Sequence, residues 1–315
     1  MKKLMINLII LVPLIFINAK CISPQIGLSQ KFSVVGKYRV GMAYGFDVNG
    51  NYVYMGTNDG LLILDISNIK SPVFAGKLDL GFIRDVKLVD GVVYLSGGGN
   101  GFFIVDVSNV KQPKLIGKYQ DNGEIYGFAK SGPYAFLCDR KEGVKVIDIS
   151  DPFNPRKISH WSNGGQYWEI EIRDNLAYVA DIRDGLEIID ITNPMSLTLI
   201  NTVPETKGAC SIQINDEQIC VGTLKGIFVL DIKDPRVPSL IMSTLTSQEV
   251  KEGFISKDLL LAGTGGVIAF DITNPKDPLQ LAKWTMSGTH KVIYDGSYIY
   301  TALNRFYILK LDKNQ

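Results

Sequence analysis

"GLLILDISNIKSPVFAGK", Gly60–Lys77, joins two strand-like runs through a turn. An apolar run ends at Asp65, a Ser-Asn turn and a proline follow, and a second strand-like run ends in Gly-Lys. The chain repeats the phrase as "GFFIVDVSNVKQPKLIGK", Gly101–Lys118, and further copies begin at Gly143, Gly185, Gly226 and Gly266. The anchoring aspartates are Asp65, Asp106, Asp148, Asp190, Asp231 and Asp271, spaced 41, 42, 42, 41 and 40 residues apart. A seventh copy, "RFYILKLD" from Arg305, carries Lys310 at the aspartate position and then the chain stops.

Upstream of each copy lies a second phrase, such as "GFDVNGNYVYMG" from Gly45, "RDVKLVDGVVYLSG" from Arg84 or "HKVIYDGSYIYTA" from His290. Asn-Gly and Asp-Gly between β-rich runs signal tight hairpins, because both residue types accept the positive φ of such turns. Each period of about 40 residues therefore holds four short strands, the sequence form of a propeller blade. The expected fold is all-β: a seven-bladed β-propeller of four-stranded antiparallel blades. The seventh copy lacks its final strand, and "FSVVGKY" from Phe32 resembles "PKLIGKY" from Pro113. The N-terminal strand is therefore expected to complete the last blade.

The "LLILD" strand is almost continuously apolar, as a strand covered on both faces should be. Serine and asparagine side chains hydrogen-bond nearby backbone and hold the turn, and proline presets φ where no ladder donor is needed. The repeat aspartates tempt an acid–base or metal reading. They recur once per blade and would lie far apart around the ring, so turn stabilisation is the expected role. No His-x-x-His, Cys-x-x-Cys or calcium-loop spacing is present, and no metal or cofactor is expected.

The start of the chain reads as a targeting segment: Lys2 and Lys3, then an apolar stretch over Leu4–Ile17 interrupted by Asn7 and Pro13. It is short for a membrane span of roughly 20 residues. Residues 1–19 are read as a signal peptide cleaved after Ala19, 20–31 as a linker, and 32–315 as the propeller. Export to the periplasm or cell surface is the expectation. Cys21 raises lipidation as a second possibility, although Lys20 departs from the small residue such sites place before the cysteine. Membrane contact is expected only through that anchor. The formal charge is +1 and becomes −1 without Lys2 and Lys3, which leaves no basic excess for nucleic acid. Cys138, Cys210 and Cys220 are an odd set in the folded part and read as free buried thiols.

The tokens "LLILD", "FIVDV", "VIDIS", "IIDIT", "VLDIK" and "AFDIT", each with a Ser/Thr-Asn/Asp-Pro type of turn nearby, resemble the LVIVD-repeat family of exported bacterial and archaeal proteins. The resemblance implies an exported propeller at the cell envelope and carries no defined common activity.

Function is sought in positions that differ between copies. Aligning the hairpins places Tyr44, Arg84, Tyr126, Trp168, Cys210, Lys251 and His290 in one column, followed by Gly45, Asp85, Gly127, Glu169, Ser211, Glu252 and Lys291. Both columns start the innermost strands and should ring the mouth of the axial channel. One reading is a wet channel mouth whose charges are solvated or mutually paired. Another is a non-catalytic binding site for a glycan, a small polar ligand or an envelope protein. In it Tyr44, Tyr126 and Trp168 would stack, and Arg84, Asp85, Glu169, Lys251, Glu252 and His290 would anchor. A third is a hydrolase or lyase using Asp85, Glu169 or Glu252 with His290. Asn58, Asp59, Asn100, Asp139, Arg140, Asp181, Arg183 and Asp184 are expected on a solvated outer rim.

Overall fold

The computed structural model describes residues 25–27, 30–215, 217–246, 248–285 and 290–313. The signal-peptide reading of residues 1–19 and the lipidation reading of Cys21 lie outside these. Seven antiparallel four-stranded sheets follow one another along the chain. Their innermost strands are Ala43–Asn49, Asp85–Val89, Ile125–Ser131, Tyr167–Arg173, Ala209–Ile214, Glu252–Ser256 and Lys291–Tyr294, and we number blades one to seven in that order. In blade one the remaining strands are Tyr52–Thr57, Gly60–Asp65 and Val73–Asp79, paired in sequence order. The same order serves the other blades.

Blade seven is the exception that closes the ring. Its outermost strand is Gln30–Arg39, which pairs antiparallel with Arg305–Lys313 from Gln30↔Lys313 to Arg39↔Arg305. Ser33 Oγ donates to Asp312 Oδ2 at 2.5 Å across this pair. The strand begins two residues before the expected boundary at Phe32. A further short strand, Gln25–Ile26, adds in parallel to the outer edge of blade six at Leu279–Thr285.

Apolar clusters fill the seams between blades. One joins Phe136, Val146 and Cys138 of blade three to Tyr167, Ile170 and Val179 of blade four. Another joins Tyr300, Phe306 and Ile308 of blade seven to Phe46, Met55 and Leu64 of blade one, so the closing seam is packed like the others. Each fully buried large side chain stabilises the ring by roughly 1.5–3 kcal/mol. The outer seams depend on glycine. A Cβ on Gly76 would lie 2.0 Å from Val110 O of the next blade's turn, and one on Gly117 would lie 1.8 Å from Pro152 O. Gly36 of the N-terminal strand meets Ile69 O of blade one in the same way, at 1.8 Å. The strand thus occupies the place that the outermost strand holds in other blades.

The repeat aspartates hold turns. Asp65 Oδ1 accepts from Ser67 N–H at 2.8 Å, and Asn68 Oδ1 accepts from Lys70 N–H at 3.1 Å. The same pair of bonds recurs at Asp106 with Asn109 and at Asp190 with Asn193. Cys138, Cys210 and Cys220 are free and buried.

Candidate functional site

The innermost strands start at a common cavity of about 240 Å³, to which all seven blades contribute. Tyr44, Arg84, Tyr126, Trp168, Lys251 and His290 line it, as do Asp85, Glu169, Glu252 and Lys291 from the adjacent column. Every residue singled out in the aligned hairpins for a ligand site therefore faces one space. Glu249 lines it too and was not anticipated.

Two consecutive residues of a regular strand point to opposite faces, so both columns could not ordinarily face the axis. In blades one, three, four and five register irregularities solve this. They fall between Ala43 and Phe46, Ile125 and Phe128, Tyr167 and Glu169, and Ala209 and Ser211. A bulge re-aims the side chains beside it. Glycine supplies the remaining room: a Cβ on Gly127 would lie 2.8 Å from Trp168 O and Glu169 Cα of the next blade.

At the mouth, the Arg84 guanidinium lies over two rings, 3.7 Å from the Tyr126 centroid and 4.9 Å from that of Trp168. The two rings meet edge to face at 5.1 Å. Arg140 donates to Tyr126 Oη at 3.1 Å, which fixes the phenol. On the blade adjacent to that of Arg84, Tyr44 packs on Phe82 and His290, with centroids 4.8 and 5.1 Å away. One face of Tyr126, expected as a stacking platform, is thus covered by Arg84. Among the described residues, neither Arg84 nor Lys251 has a carboxylate within ion-pair distance. Trp168 Nε1 is buried without a hydrogen-bond partner. Burial, then the nearby Lys251 and Arg84 charges, push His290 down to about 4, so its ring is neutral near pH 7.

Below the mouth the channel is a charge layer. Lys291 Nζ reaches Asp85 Oδ1 at 3.3 Å, and one residue pair deeper Lys87 Nζ reaches Glu171 Oε1 at 2.7 Å. Burial pushes Glu169 up to about 7, against the pull of Lys87, and pushes Glu252 well above the usual carboxylate range, helped by Glu169. The layer holds more carboxyls than ammonium groups, and desolvation is relieved when the surplus takes up protons. Side chains also stitch neighbouring blades together. Asp47 Oδ2 accepts from Leu88 N–H at 2.8 Å, Glu169 Oε2 from Ile212 N–H at 2.9 Å, and Gln213 Oε1 from Ile255 N–H at 2.9 Å.

The outer-rim expectation needs correction at two residues. Asp139 and Asp181 are buried rather than solvated. Asp139 is paired with Lys145, a fully buried lysine of the neighbouring strand that drew no attention in the sequence.

The LVIVD repeat profile matches residues 40–79, 81–121, 127–160, 164–204 and 207–246. The chain belongs to the LVIVD repeat family. Its matched repeats end in blade five, and blades six and seven continue the same plan beyond them. No curated protein matches the chain. Among solved structures it is similar to the Pan2 WD40 domain of Neurospora crassa, with a TM-score of 0.67, 11% identity and coverage of 93% of this chain and 98% of that one. It is also similar to the computationally designed Ika8 protein, with a TM-score of 0.64, 12% identity and coverage of 89% and 84%. At these identities the likeness is one of fold.

Proposed function

We propose that this LVIVD-repeat protein is a non-catalytic binding protein whose axial mouth takes a small polar ligand bearing an anionic group. The observation that carries this is that Arg84 and Lys251, which have no carboxylate partner among the described residues, line one cavity together with Trp168. Cations lining a partly desolvated space match a carboxylate or a similarly charged oxygen group. The Arg84–Tyr126–Trp168 stack holds the guanidinium in place before any ligand arrives, which lowers the ordering cost of binding. A cavity of about 240 Å³ lies below the usual range for drug-sized ligands, which favours one sugar or one small organic acid over a polymer segment.

The hydrolase or lyase reading has less support. Glu169 Oε2 is engaged by Ile212 N–H, and among the described residues no hydrogen bond joins the His290 ring to Asp85, Glu169 or Glu252. General acid–base work needs a proton path between such groups.

Export belongs to the same proposal and rests on Lys2, Lys3 and the apolar stretch Leu4–Ile17. Mass spectrometry of the native N-terminus is expected to find Lys20 first, and a retained Met1 would contradict it.

The binding proposal is tested by tryptophan fluorescence and calorimetry against neutral monosaccharides, uronic acids and small carboxylic acids. Saturable quenching by an acidic member, lost in Trp168→Phe and weakened in Arg84→Ala, is expected. A panel that gives no saturable signal, or capture of a protein partner that survives both substitutions, overturns it.

A further inference from the structure

Blades three and four are built on the same frame at their loop ends and differ in the group at its centre. "CDRKEGVKVID" (Cys138–Asp148) aligns with "ADIRDGLEIID" (Ala180–Asp190). In blade three, Asp139 pairs in register with Gly143 and Leu137 with Lys145; in blade four, Asp181 pairs with Gly185 and Val179 with Glu187. Asp121 accepts from Gly123 N–H, and Asn163 accepts from Gly165 N–H in the same arrangement. Asp139, Glu142, Lys145 and Asp121 therefore correspond to Asp181, Asp184, Glu187 and Asn163.

In blade three the space between these groups is filled by an internal cation. Lys145 Nζ lies 2.6 Å from Asp121, 2.8 Å from Asp139 and 2.9 Å from Glu142. In blade four the lysine is replaced by a glutamate. Asp181, Asp184 and Glu187 bring carboxylate oxygens within 4.8 Å of one another, and among the described residues none of the three forms an ion pair. Asp181 and Glu187 are 0% exposed. Asp181 Oδ1 is used by the N–H groups of Gln166 and Arg183, and Glu187 Oε1 by Asn163 Nδ2, which leaves Asp181 Oδ2 and Glu187 Oε2 buried without partners. Asp184 is exposed and opens the cluster to solvent.

We infer that blade four holds a calcium ion where blade three holds the Lys145 ammonium, with Asp181, Asp184 and Glu187 as its protein ligands. Two buried carboxylate oxygens without donors are expensive, and the frame around them is one that already accommodates a cation. Hard oxygen donors with no nitrogen or sulfur among them suit calcium or magnesium rather than zinc. Three carboxylates on one ion exceed the one or two that magnesium ordinarily takes while keeping its waters, and calcium accepts larger and less regular oxygen sets. Gly165 keeps the space open: a Cβ there would sit 1.7 Å from Asp181 Oδ2, just as one on Gly123 would sit 1.8 Å from Asp139 Oδ2.

Terbium luminescence tests the site, because the Tyr167 hydroxyl bonds Asn163 beside it and can sensitise a bound lanthanide. The whole protein is expected to bind terbium saturably at one site, to release it to calcium before magnesium at equal concentration, and to melt several degrees higher in calcium. Glu187→Lys, which installs the charge that blade three uses, should fold, lose the luminescence and lose the calcium-dependent rise. Asp181→Asn serves as a second variant and should weaken terbium binding at least tenfold. Three results overturn the inference: no calcium-competed luminescence and no melting shift at about 10 mM calcium, above the weakest protein calcium sites; an undiminished signal in folded Glu187→Lys; or magnesium competing as well as calcium. A site in which Glu187 is simply protonated against Asp181 would give the first of these.

Discussion

The guanidinium carbon of Arg84 stands 3.7 Å above the ring centroid of Tyr126, on the neighbouring blade. This contact fixes a cation at the rim of a cavity whose carboxylates lie one layer deeper. The charged head is presented to the mouth without an ion-pair partner to release first.

Arg84→Ala is expected to weaken anionic ligand binding by roughly 1–3 kcal/mol, about five- to 150-fold. Combined with Trp168→Ala it should abolish binding while the melting temperature stays within about 4 °C, since both side chains face the cavity. Isothermal titration and differential scanning calorimetry read the two quantities. Unfolding of the double variant would show that Trp168 is a packing residue.

Gly36→Val should loosen the ring at its closing seam. A side chain there meets the Ile69 carbonyl at 1.8 Å, so either the N-terminal strand or the blade-one turn must move. A loss of about 2–4 kcal/mol in urea unfolding is expected, with a similar loss for Gly117→Val, which meets Pro152 O in the same way. Equal stability of Gly36→Val and wild type would mean that the first strand is not clamped.

Lys145→Met should be among the most harmful single changes outside the apolar core. It leaves Asp121 and Asp139 without the ammonium that all three neighbouring carboxylates share. Removing one partner of a buried ion pair costs about 3–5 kcal/mol. Lys145→Met/Asp139→Leu should recover part of that loss, which a double-mutant cycle measures.

The mouth also sets opposing pH dependences. His290 is held down to about 4 by burial and by Lys251 and Arg84, so the unfolded chain takes up its proton first as pH falls below about 6.5. Its contribution is present above that value and is lost between about pH 6.5 and 4. Glu169, held up to about 7, keeps a proton that the unfolded chain releases, so its term falls as pH rises from about 4.5 to 7. The two terms largely offset each other between about pH 4.5 and 6.5, so relative to wild type the measured stability should fall more steeply with rising pH in His290→Gln and rise more steeply with rising pH in Glu169→Gln.

The blade plan was legible because its signals are local. The Asp65 and Asn68 turn bonds span two residues each, and Asp90 and Gly91 adopt the positive φ values that the Asp-Gly hairpin implied. The cavity lining was legible because ring position follows repeat position. What escaped depends on contacts between elements. Nothing in "GVKVID" says that Lys145 is buried, because the carboxylate of Asp121 that receives it lies 24 residues earlier on another loop. Lys87 and Glu171 meet across the channel from blades two and four. Asp139 and Asp181 looked like rim residues because loop acids usually are, and their burial follows from the glycines at 123 and 165 that let the loops fold over them.

The pairing of Gln30–Arg39 with Arg305–Lys313 has a consequence for the order of events during synthesis. Residues 30–39 emerge early but have no strand partner until the last strand has been made. Blades one to six can assemble as the chain lengthens, each on the one before, while residues 30–39 wait as an unpaired strand with an open edge. Joining ends so distant in sequence is slow in a β topology. The seventh blade is then the latch: it should be the last unit to gain protection from hydrogen exchange during refolding and the first to lose it under tension applied to the N-terminus.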